Sequence, residues 1–312
     1  MYFHKKTLKP NLKRIPIIDL FAGPGGLGEG FMSLNTDQGE SIFDIKLSIE
    51  KDENAHKTLI WRSFFRQFKK AGKPLPNEYY EVYRQENLAE REKLIKAALD
   101  KFSEGTIARE ESRLIELGSK DWSDEFIDSL ISEKLDGNKN WVLIGGPPCQ
   151  AYSGVGRSRV GGIHKEDKRV YLYKEYLRII EKYKPTVFVM ENVKGLLSAK
   201  VDNERVFDWM KKDLAINGNY KIHSFAKPVK EDRDFLIRSE EYGVPQKRHR
   251  VILLGIRSDF EHQGEYLTKK EKLSLESVIG EIPELRSGLS REFLEYHKTE
   301  KYKNGKPKRV YK

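Results

Sequence analysis

Short apolar runs alternate with longer polar stretches of helical period along this chain. Ile15 to Leu20 reads as a first strand. Phe43 to Ile49 reads as a second, with Phe43, Ile45 and Leu47 alternating. Val142 to Ile144, Val187 to Met190 and Val251 to Ile256 are apolar runs of the kind a parallel sheet buries on both faces. Between them, Tyr173, Tyr176, Leu177 and Ile180 recur at helical spacing, and Pro185 closes that segment. The alternation predicts an α/β domain over residues 1–285. Lys57 to Lys139 departs from it, being charge-rich, with Trp122, Phe126, Ile127, Leu130 and Ile131 forming one apolar stripe. A single βα unit needs fewer residues. The stretch predicts a helical insertion at about 57–139, with one sheet strand near Arg113 to Leu117. The apolar pattern fades after Leu285, and Lys298 to Lys312 hold seven Lys or Arg against one acid. Residues 286–312 therefore read as a basic linker or the start of a truncated further region.

Composition narrows the class. The chain has 312 residues, a formal net charge of +10 and 34% charged residues. That excess favours a polyanionic partner. No apolar stretch approaches the length of a membrane span, and Met1 to Arg14 has charge but no apolar signal-peptide core. A single cysteine excludes an internal disulfide and a cysteine-rich metal site, and suits a reducing cytoplasm.

That cysteine is Cys149, in Gly145-Gly146-Pro147-Pro148-Cys149-Gln150, directly after a strand. Glycines permit a tight exit from a sheet and prolines fix the backbone. The pattern presents one nucleophile rigidly at a strand end. The first strand likewise runs into Phe21-Ala22-Gly23-Pro24-Gly25-Gly26, a turn that lets a ligand approach the backbone. Gly23, Gly25 and Gly28, with Glu50 about one βαβ unit on, formally match a dinucleotide-binding pattern. By themselves these residues leave NAD and other nucleoside ligands open. Ala151 to Val170 mixes glycines with Arg157, Arg159, Lys165 and Lys168, as a mobile loop closing on a phosphodiester backbone would.

Four motifs in order decide between these ligands: Phe21 to Gly26, Pro147-Pro148-Cys149-Gln150, Glu191-Asn192-Val193, and Gln246-Lys247-Arg248-His249-Arg250. Together they make the stretch from Ile15 to Arg257 resemble the cytosine-5 DNA methyltransferase family. The resemblance implies a Rossmann-like S-adenosylmethionine-dependent methyltransferase fold with a mixed seven-stranded sheet. It implies S-adenosyl-L-methionine held by Phe21, Ala22, Gly23, Gly25, Gly26, Glu50, Pro148 and Leu172. It assigns catalysis to Cys149, Glu191, Arg248 and Arg250, and contacts with a flipped target base to Gln150, Ser153, Asn192 and Gln246. The chemistry suits these residue types. A thiolate added at carbon 6 of cytosine makes carbon 5 nucleophilic, and a protonated Glu191 would relieve the charge at N3. A free thiol titrates near about 8.5, so nearby guanidiniums would help to ionise Cys149. Gln246, Arg248 and Arg250 should share a face, leaving Lys247 and His249 in solvent. The implied activity is methylation of carbon 5 of cytosine in double-stranded DNA, in a bacterial restriction-modification or defence setting, in the cytoplasm and on the nucleoid when bound to DNA. Transfer-RNA cytosine methylation and an inactive regulatory DNA-binding homologue are the alternatives.

The chain departs from the family in three places. Lys51 follows Glu50 where many relatives carry an aromatic residue. No clear Gly-Asp pair marks the acidic motif for the adenine amino group, and Glu116, Gly118 and Asp121 all lie in its region. The target-recognition region and the asparagine-bearing helix of the family are not visible, which implies a C-terminal continuation or a separate subunit.

Overall fold

The computed structural model describes residues 14–37, 39–148, 172–201, 203–261 and 264–282. Five parallel strands lie side by side: β1 (Ile15–Leu20), β2 (Phe43–Glu50), β3 (Ser112–Leu114), β4 (Val142–Gly145) and β5 (Val187–Val193). Two short strands, β6 (Lys200–Val201) and β7 (Glu204–Arg205), make a separate hairpin. The sheet then continues through β8 (Tyr220–His223), β9 (Leu236–Arg238) and β10 (His249–Arg257). The order is β3-β2-β1-β4-β5-β10-β8, with β10 antiparallel to β5 and β8, and β9 as an eighth strand beside β10. This is the mixed, doubly wound sheet of a Rossmann-like fold, in which ligands sit beyond the carboxyl ends of the parallel strands.

Alternation along β1 divides the core. Ile18 and Leu20 join the larger cluster, which includes the buried stripes of α6 (Asp124–Leu135) and α7 (Tyr173–Tyr183). In α7 the buried residues are Tyr173, Tyr176, Ile179 and Ile180, one face of a 3.6-residue period. The helix α8 (Val206–Leu214) completes that layer. Ile17 faces the other way, with Ile45, Ile144 and Val189, beneath α1 (Gly26–Met32). Between β2 and β3 the chain forms α2 (Glu53–Lys70), α3 (Asn77–Arg84), α4 (Leu88–Lys101) and α5 (Ser103–Glu111). Asp52 caps α2 by accepting from the Ala55 amide at 2.8 Å. These helices own an apolar cluster centred on Trp61, Phe64, Phe68 and Leu99. A four-residue helix, α9 (Glu276–Ile279), ends the described residues. No described helix is long and apolar enough to cross a membrane.

Three elements differ from the sequence reading. β5 runs through Glu191 and Asn192 to Val193 because it pairs with β10 from Arg250 onward, and β10 starts at His249 because that residue pairs with Arg238 of β9. The strand expected near Arg113 to Leu117 is Ser112–Leu114, set by pairing with Ser48, Ile49 and Glu50.

Candidate active site

Register brings the carboxyl ends of β2, β1, β4 and β5, with Glu50, Phe21, Gly146 and Glu191, to one edge of the sheet. Leu20 lies beside Ile49 on one side and Gly145 on the other, and Gly145 lies beside Met190. Each next residue turns out of the sheet or reaches its edge: Glu50, Phe21, Gly146 and Glu191. At the usual strand spacing this row spans about 14 Å from β2 to β5.

The turn after β1 is held in an unusual backbone conformation. Phe21 and Gly23 both have φ of 56°, and Gly25 has φ of 85°. For a phenylalanine the left-handed region costs about 1–2 kcal/mol. The Phe21 ring offsets it by packing against the main core, while the Ala22 amide donates to the Ile49 carbonyl at 3.0 Å. Glu50 ties two turns together. Its Oε2 accepts from the Gly23 amide at 2.7 Å, and its Oε1 accepts from the amides of Lys51 at 2.9 Å and Asp52 at 2.7 Å. Side chains added at Gly23 or Gly26 would meet nothing within 4 Å, so open space lies over this turn.

The exit from β4 is close-packed. A Cβ on Gly145 would sit 2.5 Å from the Leu20 carbonyl oxygen and 2.9 Å from the Tyr176 ring, so glycine is required there. A Cβ on Gly146 would lie 3.2 Å from Glu191 Oε2. Tyr176, fully buried, shares its hydroxyl proton between the carbonyls of Leu143 at 3.2 Å and Val189 at 3.1 Å. This tyrosine fastens β4 to β5 directly below the site, a role that the sequence analysis missed. Its place on the apolar stripe of α7 reads only as core.

Glu191 faces β10. Arg250 Nε lies 2.5 Å from its Oε1, and Arg248 Nη2 lies 3.9 Å away. The Arg250 contact is an ion pair without an aligned N–H, since Nε completes no hydrogen bond. Asn192 alternates to the opposite side and is 2% exposed. Its Nδ2 donates to the Pro147 carbonyl at 3.2 Å and its Oδ1 accepts from the Val193 amide at 2.9 Å. Asn192 thus makes a clamping contact with the carbonyl of the Pro147-Pro148 turn. Gln246 is exposed, and its carbonyl accepts from the Ser239 hydroxyl, which in turn accepts from the Arg248 amide at 2.9 Å. Ser239 thus sets the bend ahead of Arg248, and its position after β9 is visible only in three dimensions. His249 is not in solvent as expected. Its Nε2 pairs with Glu240 Oε1 at 2.8 Å, because β10 has begun by that residue.

Pro148 is half-buried at the end of this frame. Cys149, Gln150, Ser153 and the basic stretch Ala151 to Val170 lie outside the described residues. Leu172 caps α7, one turn before Glu175, whose side chain would be met by a Cβ on Gly118 at 3.2 Å. The first turn of α7 and the segment after β3 therefore adjoin through Glu175. In that segment Glu116 is engaged by Lys51 at 2.9 Å, which bridges the ends of β2 and β3, while Asp121 is exposed.

A profile of the family described as C-5 cytosine-specific DNA methylase matches residues 120–312, more than half of the chain. The chain belongs to the C-5 cytosine-specific DNA methylase family. Within the family's curated proteins, it is 33% identical over 305 residues to the Type II methyltransferase M.Bpa9945I of Bacillus paralicheniformis, a match covering 91% of this chain and 64% of that protein. It is 31% identical over 160 residues to the Type II methyltransferase M.DdeI of Desulfomicrobium norvegicum, covering 49% and 35% respectively. The chain thus spans less than two thirds of the length of either relative. Among solved structures, the Entamoeba histolytica methyltransferase EhMeth matches over 84% of this chain and 58% of its own, at 18% identity and a TM-score of 0.44.

Proposed function

We propose that this chain methylates carbon 5 of cytosine in double-stranded DNA, using S-adenosylmethionine and a covalent adduct on Cys149. One observation carries the reading: the Phe21 turn, the Pro147-Pro148 exit and the Glu191–Arg250 pair share one edge across adjacent strands. Membership of the family and the Type II relatives support it, and those relatives also support a restriction-modification setting.

The residues present fit the cofactor. Space is open over Gly23 and Gly26, and Glu50 is fixed beside them at the sheet edge. Phe21, Ala22, Gly23, Gly25, Gly26, Glu50, Pro148 and Leu172 would hold S-adenosylmethionine, which supplies an electrophilic methyl group when bound. The chain's own residues prepare the base. The Cys149 thiolate forms a bond to carbon 6, and the electron pair of the 5,6 double bond moves to make carbon 5 nucleophilic. Glu191 meets N3, where the ring gathers charge, and Arg250 keeps that carboxyl in place. After methylation, loss of the carbon 5 proton expels the sulfur and restores the ring. Asn192 and Gly145 act through the backbone of the turn that carries Cys149.

The test is transfer of a labelled methyl group to duplex DNA and to transfer RNA in parallel. Label at cytosine carbon 5 of DNA supports the reading, and label in RNA alone overturns it.

A further inference from the structure

A cleft of about 1350 Å³ takes none of its lining residues from the Phe21 turn. Its wall starts one residue from the Glu191–Arg250 pair. Arg250 stands opposite Val193 on β5 and Ile237 on β9, and the next residues, Lys194 and Arg238, line the cleft. Pockets for small ligands run to about 300–1,000 Å³, so this one suits part of a polymer.

Its charge points the same way. Seven Lys or Arg and four Asp or Glu line it. The acids are used within the walls. Asp232 holds Arg205 and Lys211, each at 2.5 Å. Asp234 holds Lys227 at 2.6 Å and accepts from the amides of Lys230 and Glu231, and these contacts, Lys227 foremost, bring its carboxyl down to about 2. Glu241 holds Arg238 at 3.2 Å and Lys269 at 2.8 Å. Glu231 accepts from the amide of Asp234 in a capping box. Three cations remain. Lys194, Lys200 and Arg233 are exposed and make no ion pair among the described residues. A rigid wall of satisfied acids carrying unspent cations attracts phosphates in series.

We infer that this cleft is a backbone track for the DNA duplex flanking the target base, with Lys194, Lys200 and Arg233 each neutralising a phosphate. The inference rests on the reading of this chain as a DNA-modifying enzyme, and it adds a surface separate from the reacting residues. Contacts of this kind set affinity and orientation and do not read sequence.

The test measures binding of the full chain to a labelled random-sequence duplex over a salt series. Each lost phosphate contact removes about 0.9 from the slope of log K against log salt. The variant Lys194→Ala/Lys200→Ala/Arg233→Ala should be shallower than wild type by about 2.7. Its melting shift with S-adenosylhomocysteine should match wild type. A control, Lys69→Ala/Arg84→Ala/Lys96→Ala, removes equal charge from the helices between β2 and β3 and should keep the wild-type slope. An unchanged slope in the cleft variant overturns the inference. So does an equal loss in both variants, or a loss seen with transfer RNA and not with duplex. The methyl-transfer assay on wild type judges the proposed activity separately: transfer to duplex DNA with an unchanged slope would sink the track alone.

Discussion

Asp19 is the residue whose replacement tests this fold most sharply. It is the fifth residue of β1, 1% exposed, and its Oδ2 lies 3.1 Å from where a Cβ on Gly28 of α1 would sit. Neither carboxyl oxygen has a hydrogen-bond partner. Burial pushes its pKa up to about 8, against the pull of the Arg66 guanidinium and with added repulsion from Glu50 and Glu111. Arg66 is largely committed elsewhere, to Glu29 and Glu111. The unfolded chain titrates this group near about 3.9. Below that pH both states are protonated and the residue is neutral to stability. Between about 4 and 8 the folded chain keeps the proton and the unfolded chain releases it, so stability falls as pH rises. At about 1.4 kcal/mol per unit, the loss reaches about 4 kcal/mol at pH 7 and levels off above pH 8. Asp19→Asn keeps the shape and cannot ionise. Urea denaturation of both proteins at pH 5.5 and 7.5 should show the variant gaining on wild type by about 2–3 kcal/mol between the two conditions. Stability differences that stay constant with pH would show that Asp19 is ionised in the folded chain, and would refute the reasoning.

Other outcomes follow from the site. Cys149→Ser should abolish methyl transfer while S-adenosylhomocysteine still raises the melting temperature, and duplex carrying 5-fluorocytosine should trap a covalent complex with wild type only. Arg250→Met should lower kcat by about 10–100-fold through the lost charge contact to Glu191, with cofactor affinity kept, as read by calorimetry and single-turnover assays. Gly145→Ala should cost about 1–3 kcal/mol in denaturant melts, since the new methyl meets the Leu20 carbonyl and the Tyr176 ring.

The parts of the fold legible in the sequence are those where burial alone dictates the element. β1, β4 and the first half of β5 are apolar on both faces, and no other arrangement hides them from water. Where pairing decides, the apolar pattern falls short. Glu191, Asn192 and Arg250 are polar, yet they belong to strands because β5 and β10 lie antiparallel along them, and His249 joins β10 by pairing with β9. β8 and β9 escaped notice for the same reason, being short and partly exposed beside β10. The side on which a site residue points is also a pairing property. Once β5 is known to extend to Val193, its two-residue period sends Glu191 and Asn192 to opposite sides.

A common device underlies the edge. Each turn there is held by a side chain from the strand or segment beside it: Glu50 holds Gly23, Asn192 holds Pro147, and Ser239 holds the backbone at Gln246 and Arg248. Backbone amides and carbonyls that leave a sheet lose their ladder partners, and leaving them unpaired in a half-buried edge costs about 1–3 kcal/mol each. Polar residues at strand ends restore those partners and fix the turns in one geometry. The consequence is a frame in which each of these turns is tied to a neighbouring strand or segment. Reactive groups carried on such turns inherit their positions from the sheet, which is what a reaction between a bound base and a bound methyl donor demands.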